Sequence, residues 1–127
     1  LLFPLSGKFR NLSLLIRTLM KYKIVKLKKE NELNRELRRQ KKERGEIAIL
    51  FVSPWDKYSK NLMQQLEREN KNPPAYAKTL YIVDSYNMPH SFVIFNSTVL
   101  PQLVRINKNK VMCEDYLPMV YNALGLE

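Results

Sequence analysis

The chain has 127 residues, enough for a single modest core plus an extension. Its 22 Lys and Arg outnumber 12 acids, for a formal net charge of +10, and the excess is confined: residues 1–45 hold 14 cations and 4 acids, residues 46–127 hold 8 of each. One cysteine and one histidine exclude a disulfide framework and a zinc-finger type of metal site, and no apolar run approaches the ~20 residues of a membrane span.

That asymmetry reads as a basic arm for a polyanion, attached to a neutral body. Residues 1–29 contain no acid, and Leu12, Leu15, Ile16 and Leu19 could form one face of an amphipathic helix. This is the composition of an organelle-targeting peptide and also of a ribosomal-type tail. The absence of proline and glycine from 11 to 44 predicts a helix over that whole stretch, with residues 26–44 polar nearly all round except for a narrow seam at Leu33 and Leu37. A helix of that kind is solvated or lies on a charged partner; the acids here are too few to neutralise the cations through helix-spaced pairs. Gly45 marks the expected boundary between a basic, largely helical N-terminal extension, 1–45, and a folded domain, 46–127.

The domain opens on Ile47–Val52, six apolar residues that predict a strand covered on both faces. Ser53, Pro54 and Asp56 predict a capping box at a helix start, and Trp55, Tyr58, Leu62 and Leu66 recur on one helical face. Asn70–Pro74 ends that helix. Thr79–Asp84 is a second strand, parallel to the first because a helix separates them. After a turn at 85–89, His90–Phe95 reads as a third strand, Asn96–Thr98 as a hairpin turn, and Val99–Ile106 as a fourth strand, with Pro101 at an edge or bulge. A turn at 107–110 leads to a last helix from about Glu114, carrying Leu117, Val120, Tyr121 and Leu124 and stopping at Gly125. The resulting α/β order, β-α-β-β-β-α, is a thioredoxin-like arrangement with a long basic helical N-terminal extension.

In that fold the chemistry sits where the first of these strands meets its helix, in two cysteines spaced C-x-x-C with a thiolate stabilised by the helix N-terminus. Here Asp56 and Ser59 occupy the cysteine spacing, and Cys113 lies at the far helix, so disulfide exchange is not expected. Ser91, His90 and Asp84 lack a nucleophile elbow, and three glycines (Gly7, Gly45, Gly125) cannot build a phosphate loop. The expectation is therefore a chain that is not an enzyme, with no catalytic residue, metal, cofactor or small-molecule substrate. Pro89 stands near the usual place of a cis-proline. Only five residues separate Asp84 from His90, which predicts loss of the helix that thioredoxins carry there.

Phe51, Pro54, Trp55, Asp56 and Lys57, then Ile82-Val83-Asp84, Pro89 and Phe92–Phe95, together resemble a family of mitochondrial large-subunit ribosomal proteins, the one numbered fifty-three, over about residues 50 to 121. The resemblance implies a structural component of the mitochondrial large ribosomal subunit, in the matrix, with rRNA and neighbouring mitochondrial ribosomal proteins as partners. In such a particle the arm would lie on rRNA phosphates through Lys8, Arg10, Arg17, Lys21, Lys23, Lys26, Lys28, Lys29, Arg35, Arg38, Arg39, Lys41, Lys42 and Arg44. The alternative is a redox-inactive thioredoxin-like subunit of another large assembly, a respiratory complex or a spliceosomal particle.

Overall fold

The unbroken apolar run at Ile47–Val52 lies at the centre of a mixed five-stranded sheet. In the computed structural model, which describes residues 21–43, 45–108 and 110–126, the strands are β1 (Tyr22–Lys26), β2 (Glu46–Val52), β3 (Lys78–Asp84), β4 (Gln102–Asn107) and β5 (Lys110–Glu114). The helices are α1 (Glu30–Glu43), α2 (Lys57–Glu69), α3 (Pro89–Ile94) and α4 (Leu117–Ala123). The sheet order is β1-β3-β2-β4-β5, with β1, β3 and β2 parallel and β4 and β5 antiparallel to their neighbours. This is a thioredoxin-like α/β fold.

Side chains alternate across a strand, so the apolar residues of β2 supply both faces of the sheet. Ala48, Leu50 and Val52 join Leu80, Ile82 and Leu103 under α2 (Leu62, Leu66) and the α4 end (Val120, Leu124, Leu126). Ile47, Ile49 and Phe51 join Tyr81, Val83 and Val104 under Leu33 of α1 and Met88, with Phe92 and Phe95 of the α3 segment packed alongside. Six of the seven β2 residues are buried, which bears out the strand covered on both faces; the parallel pairing of β2 with β3 is borne out as well.

The sequence-based element order fails at three places. Residues 22–26, expected as helix, are a strand parallel to β3, so residues on both sides of Gly45 belong to one sheet. Ile24 packs against the α2 and α4 core and Val25 against the opposite one, a period of two that outweighs the absence of a helix breaker. Asn70, buried at the end of α2, fastens this strand: its Oδ1 accepts from the Tyr22 N–H at 2.8 Å and its Nδ2 donates to Leu66 C=O at 2.8 Å. The narrow seam of α1 is its docking stripe, with Leu33 buried and Leu37 packed against the same core.

The second correction concerns His90–Phe95, of which residues 90–94 are helix rather than strand and Phe95 is the C-cap, so the intervening helix expected to be missing is present. Proline at the first helical position favours this, and Glu30, sixty residues upstream, completes it. Its carboxylate accepts from the His90 N–H (2.9 Å), the Ser91 N–H (3.0 Å) and the Ser91 hydroxyl. Free N–H groups at a helix start are thus satisfied by a residue of α1. Third, Lys110–Glu114 is an edge strand, and the last helix begins at Leu117 rather than near Glu114. Gly125 has φ 71°, the left-handed conformation expected just past a helix end. Among the described residues the cis peptide is Leu100–Pro101, immediately before β4, and Pro89 opens α3 instead.

Tyr81 is 2% exposed, and its hydroxyl donates to Glu36 Oε2 at 2.7 Å on α1. Burial, then the bond to Glu36, raises its pKa above the ordinary 10.0, and burial does the same for Tyr22. Both phenols are held neutral, so their contribution to stability is complete below pH 10 and is lost as pH rises through the folded values. Denaturation midpoints measured across pH 8–12 are expected to fall above about pH 10, and Tyr81→Phe to make that fall shallower. An unchanged alkaline slope in Tyr81→Phe would remove Tyr81 from this account.

Candidate functional site

The chain leaves the sheet at Ser53, and the next six residues are tied by a closed set of hydrogen bonds. The Ser53 hydroxyl accepts from the Trp55 N–H at 3.3 Å, and the Ser53 N–H donates to Ser59 Oγ at 3.2 Å. Asp56 Oδ2 accepts from the Ser59 N–H at 2.8 Å and from the Ser59 hydroxyl at 2.9 Å. The N-cap of α2 is therefore Asp56 rather than Ser53, and Pro54 lies in the preceding turn. A carboxylate there satisfies a free N–H and meets the positive end of the helix dipole. Asp56→Ala is expected to cost about 1 kcal/mol, read as a lowered denaturation midpoint; no loss would mean that water caps the helix as well.

Because α2 starts at Lys57, Trp55 is outside the helical face assigned to it. It is 71% exposed, Tyr58 is exposed too, and only Leu62 and Leu66 of that set are buried. Trp55 instead meets Tyr86, in the turn after β3, edge to face at 5.7 Å between ring centroids. That turn is held by Asp84, which accepts from the N–H groups of Tyr86 (2.9 Å) and Asn87 (2.8 Å). Asp84 and Ser91, weighed above as members of a nucleophile set, are thus engaged separately, Asp84 in its own turn and Ser91 with Glu30.

Beside this turn is a cleft of about 290 Å³ at the carboxyl ends of β1, β2 and β3, where Lys26, Val52 and Asp84 end their strands. Open α/β sheets place ligand sites at such strand ends. Lys60, Met63 and Ser59 also line it, and a Lys26–Glu67 ion pair of 2.7 Å lies among the lining residues.

The cations of the expected RNA-binding set fall into two groups. Lys8, Arg10, Arg17 and Arg44 lie outside the described residues, as does the side chain of Lys41. Lys21 is half-buried, its Nζ donating to Glu69 C=O at 3.0 Å. Lys23 and Lys26 are exposed on β1, and Lys28 and Lys29 on the link to α1. Arg35, Arg38, Arg39 and Lys42 are exposed on α1 at spacings of three and four, which puts neighbours about 5–6 Å apart on one helix face. Of these four, Arg39 forms an ion pair with Glu36 at 2.9 Å and reaches the Tyr81 hydroxyl at 3.4 Å. Sequence reading missed this contact, and it missed the Glu30 cap of α3. The residue types were visible, but their partners lie 42 and about 60 positions away in the chain.

Among solved structures, a thioredoxin from Nicotiana alata matches with a TM-score of 0.64 at 11% identity, over 82% of this chain and 91% of that one. The thioredoxin of Schistosoma mansoni matches at 0.60 and 15%, over 84% and 94%. Oxidised thioredoxin O2 from Arabidopsis thaliana matches at 0.59 and 20%, over 80% and 90%. No protein-family model matches the sequence, and no curated protein does. These likenesses are of fold. They overturn the expectation that the chain is not an enzyme, since the structures it resembles are thioredoxins, which are oxidoreductases. At the two positions that carry the C-x-x-C spacing, this chain has the Asp56 carboxylate and the Ser59 hydroxyl, bonded to each other.

Proposed function

We propose that this thioredoxin-like domain is an RNA-bound component of a ribonucleoprotein particle, held on phosphates by its basic N-terminal third. The observation that carries the reading is the exposed row Arg35, Arg38, Arg39 and Lys42 on α1, with Lys23, Lys28 and Lys29 exposed on the preceding segment. Four cations on one helix face suit a phosphate backbone, whose recognition is electrostatic and largely independent of sequence. The resemblance at Phe51, Pro54–Lys57 and Ile82–Asp84 favours, as that particle, the large subunit of the mitochondrial ribosome, in the matrix, with neighbouring ribosomal proteins on the rest of the surface. The presence of α3, where the spacing of Asp84 and His90 predicts no helix, favours a second reading: a subunit of another large assembly, a respiratory complex or a spliceosomal particle.

Sedimentation of the tagged chain from an organelle lysate, with a ribonuclease-treated sample alongside, separates them. Migration with the large ribosomal subunit, shifting to the top of the gradient after ribonuclease, is the expected result. A ribonuclease-resistant complex would overturn the RNA reading.

A further inference from the structure

The sheet has two edges, and they differ in charge. The β1 edge carries Lys23 and Lys26 and no acid, so a second copy laid against it would meet like charge. The β5 edge reads Lys110-Val111-Met112-Cys113-Glu114, with no proline, a cation at one end and an anion at the other. Among the described residues its one strand partner is β4, and Val111 (56%), Met112 (36%) and Cys113 are exposed.

Its register matters. Asn107 pairs with Lys110 to close the β4–β5 hairpin, and Met112 and Glu114 pair with Arg105 and Leu103. In a hairpin this tight the closing pair exchanges both hydrogen bonds, and bonding alternates along the strand. Lys110, Met112 and Glu114 thus spend their backbone groups on β4, leaving those of Val111 and Cys113 directed outward. Laid antiparallel on itself with Met112 at the centre, the strand sets Val111 opposite Cys113 of the second copy, twice. These are the residues with outward N–H and C=O groups. The same register sets Lys110 opposite Glu114 of the second copy, twice, in the closer-spaced non-hydrogen-bonded pairs where opposite charges attract most. Among the described residues Glu114 forms an ion pair with Arg105 alone, and it is long at 3.9 Å. Hydrogen bonding, charge and the Met112 contact select one two-fold register.

We propose that the chain associates with a second copy of itself through antiparallel β5–β5 pairing centred on Met112, joining two sheets into one of ten strands. This goes beyond the RNA reading and does not depend on it. Because β1 is at the far side of each sheet, the dimer carries one basic β1–α1 face at either end.

The test uses the full chain after ribonuclease digestion, so that RNA bridging and self-pairing are distinguishable. Sedimentation velocity at about 100 µM, a concentration suited to a small interface, should give twice the monomer mass. Lys110→Glu and Glu114→Lys should each give monomer, and the double variant Lys110→Glu/Glu114→Lys should restore the dimer. Val111→Pro, which removes an outward N–H and no β4 hydrogen bond, should give monomer with unchanged circular dichroism. The two Cys113 residues would be diagonal neighbours roughly 7–8 Å apart, so a short-spacer bismaleimide should join them in the wild type and the double variant only. A monomeric wild type, a dimer indifferent to both single reversals, or a double variant that stays monomeric would each overturn the proposal.

Discussion

Phe51→Ala is expected to lower the unfolding free energy by about 3–5 kcal/mol, the range for truncating a fully buried aromatic residue. Phe51 is 0% exposed on the central strand, with Phe92 edge to face at 5.1 Å and Phe95 tilted at 5.4 Å. The loss combines transfer free energy, the cavity left under α3, and two aromatic contacts of roughly 0.5–1.5 kcal/mol each. For a domain whose total stability is typically about 5–15 kcal/mol, that is a large fraction. The damage should be local as well as global. Six residues cannot hold a helix unaided, so α3 depends on its Phe92 and Phe95 contacts and on the Glu30 carboxylate. Denaturant unfolding should show a lower midpoint with little change in slope, and amide exchange of the Phe95 N–H, bonded to Ser91 C=O at 3.0 Å, should accelerate first. Trp55→Ala is the contrast. Although it is the larger side chain, its exposure keeps the expected change within about 0.5 kcal/mol. Equal losses in the two variants would mean that α3 is not held by Phe51.

That contrast shows what could be read from the sequence. Ile47–Val52 announced a buried strand because six apolar residues in a row are too short for a buried helix and too apolar for an edge. That a helix follows it was legible too, and so was the placement of Asp56 and Ser59 at the cysteine spacing, although the cap is Asp56 and not Ser53. What was illegible depended on distant partners. Tyr22–Lys26 has lysines at 23 and 26 and no breaker on either side; it is a strand because β3 and Asn70 bind it. Phe92–Phe95 is an apolar run that periodicity alone cannot assign, and a carboxylate from α1 decides for helix. Lys110–Glu114 is exposed at its first four residues and shows no alternation, being a strand through pairing with β4 alone. The place of the cis-proline, left open at Pro89, has the same origin: it depends on knowing that Pro89 opens α3 and that β4 starts at Gln102. With α3 and β5 in place, the shortened form expected from the spacing of Asp84 and His90 gives way to the complete five-stranded fold.

Replacing Arg35, Arg38, Arg39 and Lys42 together with glutamine is expected to weaken RNA binding and, more tellingly, to flatten its salt dependence. Each phosphate contact contributes roughly 0.7–0.9 to the slope of log affinity against log salt, so four lost contacts should reduce it by about 3. Fluorescence anisotropy with a labelled single-stranded RNA between 50 and 200 mM salt covers the range in which such contacts dominate. Net charge alone would also weaken binding, so the control is a second variant of equal charge, with Lys57, Lys60, Arg68 and Lys71 neutralised, exposed on or just after α2 and across the sheet from α1. If the α1 face lies on phosphates, the control should keep most of the wild-type slope. Arg39 needs its own check, because its guanidinium also meets Glu36 and the Tyr81 hydroxyl; Arg39→Gln alone should leave the denaturation midpoint nearly unchanged, as the Tyr81–Glu36 bond survives it. Loss of affinity should be uniform across RNA sequences, since cations on phosphates position a protein without reading bases. Equal slopes in the two four-residue variants would mean that binding follows total charge, and the α1 face would lose its claim to be the RNA-binding surface.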